Sequence, residues 1–270
     1  MKQYKLGFIG AGNMGGAIIK GLISTGVLSS EDIMVNDANK ESLANFCKET
    51  NTKMAESNSD LVLKTEAVVI AVKPVVLDNV LKEIAPVINE NLVISIVAGA
   101  KIETFRNKLG NKARIVRTMP NTPAMVLEGM TILCYDELCT EEDKDFAEKI
   151  FKSVGRIEIF EEKYMNEVIA LTSSSPAYVF MMIEAMGDAA VLSGIPRNKA
   201  YSLAAQAIMG SAKMVLETGK HPAELKDMVC SPAGTTIEAV AELEDSGFRN
   251  SLIKAMNKCT EKANRMSGKK

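Results

Sequence analysis

The chain has 270 residues, 47% of them apolar and 24% charged, with a formal net charge of −2. That length suits one large domain or two modest ones, and the apolar share is enough for a buried core. Acids and bases are interspersed, which argues against a basic footprint for nucleic acid or an anionic membrane, and no stretch of about 18 apolar residues lacks a charge, which argues against a membrane span.

The chain starts Met1-Lys2-Gln3-Tyr4-Lys5 and runs straight into the apolar Leu6-Gly7-Phe8-Ile9 with no leader pattern, so no signal peptide is expected. Residues 6–9 read as a strand, and 13–25 as a helix with Met14, Ala17, Ile18 and Leu22 on one face. A second strand falls at 33–35 and a short helix at 42–49. Residues 67–72 form a continuous, β-branched strand of the kind buried on both faces. A helix at 75–87 and strands at 92–97 and 114–119 follow. Strands alternating with helices predict a parallel, doubly wound sheet, with ligands at the carboxyl edge of the strands.

After Glu161-Glu162-Lys163-Tyr164 the strand signal stops. Helices are predicted at 166–171, 176–193, 198–218, 222–228, 235–243 and 248–266. The helix at 176–193 is apolar almost all round, so most of its sides must be covered. About 100 residues of helix cannot bury that surface alone, so a homo-oligomer formed through this half is expected. The predicted domains are 1–162 and 163–270: an α/β parallel-sheet domain, then an all-α oligomerisation domain. The tail 267–270 is expected to fray.

The five cysteines, Cys47, Cys134, Cys139, Cys230 and Cys259, match no zinc or redox spacing. Reduced thiols in a cytoplasmic protein fit them best. The single histidine, His221, precedes Pro222 at a helix start and reads as structural. No metal site is expected. Cys230 reads as a small buried or lining residue, and methionines such as Met181, Met182 and Met186 as core filler.

Gly10-Ala11-Gly12-Asn13-Met14-Gly15 follows a strand and opens a helix. The first glycine permits the turn, the second lets backbone approach a pyrophosphate, and the third lets helix and strand pack closely. The free N–H groups and the helix dipole then hold the phosphates. This is the dinucleotide fingerprint of a Rossmann-type unit, and it predicts NADH or NADPH as cofactor. Asp37, after the second strand, is placed either to bond a ribose diol and repel a 2′-phosphate or to form a turn or cap. Lys73, in Ala71-Val72-Lys73-Pro74, sits at the ligand edge or is simply solvated. Pro74 suits a first helical turn. Met119-Pro120-Asn121-Thr122-Pro123 fixes a rigid loop at the same edge.

Ser231-Pro232-Ala233-Gly234-Thr235-Thr236 feeds a helix start, where uncapped N–H groups favour an anion such as a carboxylate. Ordinary capping by Ser or Thr is the alternative. Thr172-Ser173-Ser174-Ser175-Pro176 introduces the apolar helix in the same style.

Together these motifs resemble the pyrroline-5-carboxylate reductase family across the whole chain. The run from Leu225 to Thr236 is the most specific part. The resemblance implies a Rossmann domain followed by a helical domain that interlocks as a dimer, with dimers building a decamer. It implies hydride transfer from NADPH or NADH to the ring imine of 1-pyrroline-5-carboxylate, giving L-proline. By matched position, Gly10, Ala11, Gly12, Asn13, Met14 and Gly15 hold the pyrophosphate. Asn58, Ala71, Val72, Lys73 and Ala98 line the cofactor, beside Pro74; Asp37, read above as a cofactor-side residue, departs from the family, which often has a serine or threonine and basic residues after the second strand. Ser231, Gly234, Thr235 and Thr236 bind the substrate, Thr236 is the candidate partner for the ring nitrogen, and Glu162 is a substrate-side acid. The family often has Gly where Ala233 stands, and an Asn where Met228 stands. Two other readings stay open. One is a related imine reductase or a 3-hydroxyacid dehydrogenase, for which Lys213 is the candidate catalytic lysine. The other is a nucleotide-binding redox sensor without catalysis.

Overall fold

A computed structural model describes residues 2–267. Its described residues divide into two compact units, one of residues 2–174 with 259–267 and the other Ser175–Lys258. This division lies later than the expected 162/163 boundary. Met165 and Val168 pack into a core cluster with Met119 and Ile132 of the first unit, and Asn166 donates to Asn264 Oδ1 at 3.1 Å and Ser267 Oγ at 2.6 Å. Those bonds also anchor Ser267, so the frayed tail does not begin there; the rest of that expectation, 268–270, lies outside the described residues.

The first unit carries strands Tyr4–Ile9 (β1), Ile33–Asn36 (β2), Lys53–Met54 (β3), Thr65–Ile70 (β4), Leu92–Ser95 (β5), Arg114–Met119 (β6), Gly129–Tyr135 (β7) and Gly155–Ile159 (β8). They form one sheet in the order β3-β2-β1-β4-β5-β6-β7-β8. Helices Asn13–Ser24 (α1), Lys40–Thr50 (α2), Asn58–Lys64 (α3), Pro74–Ile84 (α4), Ile102–Leu109 (α5) and Glu141–Lys152 (α6) connect them. Strand residues alternate between two cores. Leu6 and Phe8 meet Ile18 and Leu22 of α1 and Phe151 of α6. Ile9, Val68 and Ile70 meet Leu61 of α3, Leu81 of α4 and Phe105 of α5. Burial on both faces explains the continuous apolar runs in β1 and β4.

The sheet departs from all-parallel at one joint, where β6 and β7 pair antiparallel. The intervening segment, 120–128, is shorter than the dozen or so residues that a parallel crossover needs. The chain therefore reverses there, and α6 then carries it to β8, parallel to β7. The sequence reading missed β3, α3, α5, β7, α6 and β8. One of these had a signal. Thr140 Oγ1 accepts from Asp143 N at 3.2 Å while the Asp143 carboxylate accepts from Thr140 N at 2.9 Å, a capping box at the start of α6.

The stretch expected to be a helix at 166–171 ends as a π-helical turn, Ile169–Ser173. The second unit contains Ser175–Leu192 (α7), Arg197–Thr218 (α8), Pro222–Val229 (α9), Thr235–Asp245 (α10) and the first part of Phe248–Met266 (α11). Gly187 leaves room for the Tyr201 ring, which lets α7 and α8 pack closely. Among the described residues of this unit only Gly187, Ala200 and Ala204 are buried. Met181 and Met186 are not core filler within the chain, being 69% and 40% exposed, whereas Met34, Met119 and Met165 do fill cores of the first unit. An apolar surface this extensive needs a further partner to cover it. Among the described residues no helix is long and apolar enough to cross a membrane.

Candidate active site

The glycine turn is built as its residue types require. Gly10 has φ +106°, where an L side chain is strained, and a Cβ there would press on the Ala71 carbonyl. A Cβ on Gly15 would collide with the Gly10 carbonyl, so only glycine lets α1 start this close to β1. Above Gly12 there is nothing within 4 Å of where a Cβ would project. That open face, at the N-cap of a helix with no side-chain cap, fits a pyrophosphate resting on backbone N–H groups. The turn thus has the form a nicotinamide dinucleotide needs.

Ala71 and Val72 lie against this turn, since Ala71 N donates to Ile9 O at 2.8 Å and Val72 Cγ1 faces the Gly10 position. Asp37 is tied to it as well. Its Oδ2 accepts from Ala11 N at 2.8 Å and its Oδ1 from Asn39 N at 2.9 Å. Both carboxylate oxygens therefore meet backbone, which favours the turn-forming reading. The N-cap of α2 is Asn39, whose side chain accepts from Ser42 N.

Asn58 is in a different setting. Its Oδ1 accepts from Asn36 Nδ2 at 2.7 Å, its Nδ2 donates to Glu83 Oε2 at 2.7 Å, and Lys40 Nζ donates to Asn36 Oδ1 at 2.6 Å. This chain of bonds links the ends of β2, α3 and α4. Lys73 is exposed at the N-cap of α4, with Pro74 in the first turn. Ala98 is exposed beyond the end of β5. The residues expected on the cofactor side thus follow the carboxyl ends of β1, β2, β4 and β5, the edge at which such sheets take ligands.

Glu162 stands apart, beyond β8. Its Oε1 accepts from Ile102 N at 2.8 Å and from Arg117 Nη1 at 3.0 Å. It lines an open groove of about 780 Å³ with Ile102, Arg106, Asp136 and Phe160. Arg117 is buried and was not singled out from the sequence; the signal was a charged residue in the middle of a strand otherwise buried. Burial pushes the Cys134 and Cys139 thiols up to about 11.

In the second unit, Ser231–Gly234 leads into α10. Gly234 is the N-cap and no side chain caps the helix. The capping alternative for Ser231, Thr235 and Thr236 is therefore not what the structure uses. Gly234 N donates to Ser231 O at 3.1 Å, and a Cβ on Gly234 would strike Ser231 Oγ, which accounts for glycine there. Ala233 has φ +54°, the left-handed region in which glycine is at ease. Thr236 is half-buried and Thr235 exposed. His221 is structural, as expected, its Nδ1 accepting from Ala223 N at 3.2 Å as the N-cap of α9.

Comparison with known proteins agrees with this layout. Residues 5–99 match the family described as NADP oxidoreductase coenzyme F420-dependent, and residues 162–266 match pyrroline-5-carboxylate reductase dimerisation. A pyrroline-5-carboxylate reductase of Escherichia coli strain K12 is 48% identical over 98% of this chain and 99% of its own. A solved pyrroline-5-carboxylate reductase from Coxiella burnetii superposes with TM-score 0.91 at 33% identity, covering 98% of this chain and 99% of that one. The Plasmodium falciparum pyrroline carboxylate reductase, solved with NADP bound, gives TM-score 0.89 at 33% identity over 99% of both chains. The glycine turn, the uncapped start of α10 and this full-length likeness leave one assignment: the chain belongs to the pyrroline-5-carboxylate reductase family.

Proposed function

We propose that this protein reduces the C=N bond of 1-pyrroline-5-carboxylate to L-proline, the last step of proline biosynthesis, with NAD(P)H supplying the hydride. The observation that carries the substrate side is the first turn of α10, whose N–H groups no side chain caps. That turn binds the substrate carboxylate, with the positive end of the helix dipole adding to the N–H groups of Thr235 and Thr236. Ser231 and Gly234 shape the approach, and the Thr236 hydroxyl bonds the ring nitrogen. Gly10 to Gly15 hold the pyrophosphate, and Asp37, Asn58, Ala71, Val72, Lys73, Pro74 and Ala98 form or support the cofactor side.

A protonated imine is already electrophilic, so little acid catalysis is required; binding and orientation are the protein's contribution. No histidine, thiolate or metal has to take part. Glu162 supplies negative charge to the substrate's cationic nitrogen. The helical part, 163–270, mediates self-association into a dimer and, through dimers, a decamer. The five free cysteines suit the cytoplasm.

Initial rates with NADH and with NADPH on pyrroline-5-carboxylate test the reaction. Turnover of a 3-hydroxyacid or another imine, with none of pyrroline-5-carboxylate at saturation, would refute it. Thr236→Val should lower the rate about 10- to 100-fold, as the loss of one hydrogen bond to a charged group does, with cofactor affinity nearly unchanged. An unchanged rate removes Thr236 from the chemistry.

A further inference from the structure

Arg117 occupies a position where an arginine needs a reason. On β6 it shares a face with Ile115 and Met119, both buried, and is itself 2% exposed. A guanidinium there loses its hydration and has to be compensated by partners. Its Nη1 donates to Glu162 Oε1 at 3.0 Å, and its Nη2 reaches Asn166 Oδ1 at 3.5 Å. Asn166 is in turn held from the other side by its bonds to Asn264 and Ser267. The guanidinium is thus fixed between a carboxylate and an amide that cannot turn away.

The way Glu162 accepts these bonds is informative. An arginine and a carboxylate that serve only each other commonly pair through two parallel bonds, one to each oxygen. Here Oε1 alone takes both the Arg117 bond and the Ile102 N–H at the start of α5. Among the described residues nothing donates to Oε2. Glu162 is one-third exposed at the groove it lines. One oxygen is anchored and the other is left to accept from a ligand.

We propose that Arg117 is a positioning residue for substrate binding: together with Ile102 N–H it pins Oε1 of Glu162, so that Oε2 presents to the cationic nitrogen of the substrate. This rests on the reading of Glu162 as a substrate-side acid. Arg117 itself touches no substrate; it acts through Glu162, and the structure assigns it to orientation.

The test is a double-mutant cycle on the full-length enzyme with pyrroline-5-carboxylate. Arg117→Met should raise the KM for the imine about tenfold or more, while the KM for NAD(P)H stays within about twofold. Arg117→Lys should recover part of the loss, because an ammonium still reaches one oxygen but lacks the fork. Glu162→Gln should show a similar loss, and adding Arg117→Met to it should cost no more than about a further twofold. If Arg117→Met does not fold, the cycle is run with Arg117→Lys. Multiplicative losses, or a rise in cofactor KM equal to that for the imine, would overturn the proposal. A Glu162→Gln enzyme with normal imine KM overturns it too, while wild-type turnover leaves the reaction standing. A wild-type enzyme inert towards pyrroline-5-carboxylate refutes the reaction and this role together.

Discussion

The α/β unit and the helical unit are both rich in apolar residues, yet they spend them differently. In the first, strand residues alternate between two closed cores, and large side chains such as Phe8, Phe105 and Phe151 are wholly buried. In the second, only Gly187, Ala200 and Ala204 are buried among the described residues, while Phe180 is 63% and Leu192 90% exposed. Hydropathy therefore reports how much surface must be covered, and not what covers it. A sheet with helices on both faces is covered by its own chain. A long apolar helix whose neighbours are few leaves surface for a partner to cover, which fits the match of residues 162–266 to a dimerisation family.

The sharpest way to break this contrast is to place a charge on the exposed apolar side of α7. Phe180→Asp should forfeit about 2 kcal/mol of burial in each copy, doubled in a symmetric dimer. Association then weakens on the order of 1000-fold, measurable by sedimentation velocity across a dilution series. Unchanged assembly would place the interface elsewhere.

Phe105→Ala is the counterpart in the first unit. Its side chain is fully buried, so the cavity should cost about 3–5 kcal/mol in urea unfolding. The association constant should not move; if it does, the units are not independent in the way the burial suggests.

The cysteines give a pH-dependent measure of the same difference. The thiols of Cys134 and Cys139 rise from 9.0 to about 11 because burial disfavours the thiolate. The folded state thus holds these protons more tightly than the unfolded chain. Their contribution is fully present below pH 9 and is lost as pH rises towards 11. Thermal midpoints should be flat from pH 7 to about 9 and fall above it, and both residues should resist alkylation at neutral pH until the unit unfolds. Prompt labelling of either at pH 7 would contradict their raised thiol pKa values.

The smallest expected effect is at Ala233. Holding alanine at positive φ costs about 1–2 kcal/mol, whereas glycine adds about 0.4–1 kcal/mol of unfolded-chain freedom. Ala233→Gly should therefore stabilise the protein by roughly half a kcal/mol, visible as a small rise in denaturant midpoint. A fall would mean that the loop rearranges.

Much of this was legible in the residues. Period and β-branching located β1, β2, β4, β5 and β6, and the second-half helices matched within a few residues. The glycine fingerprint located the turn between β1 and α1, where Gly10 and Gly15 each meet a steric demand. Some of what escaped was short: α3 has seven residues and β3 two; α6 and β7, with 12 and seven residues, carried a readable pattern that the sequence reading passed over. The antiparallel joint escaped because chain reversal is decided by connection length rather than by strand composition. The ties from Asp37 to Ala11 and from Glu162 to Arg117 escaped because they join residues 26 and 45 positions apart, a distance that no local pattern encodes.

The bond from Ala11 N–H to Asp37 has a consequence for anyone redesigning cofactor choice. The acid that stands where discrimination between NADH and NADPH is usually made also braces the turn between β1 and α1. With the dinucleotide resting on that turn, as proposed, Asp37→Ser should loosen it and lower the affinities for NADH and NADPH together before their ratio changes. A clean exchange of one cofactor for the other would need a second substitution that restores the brace, which makes preference and rigidity a single inherited trait in this protein.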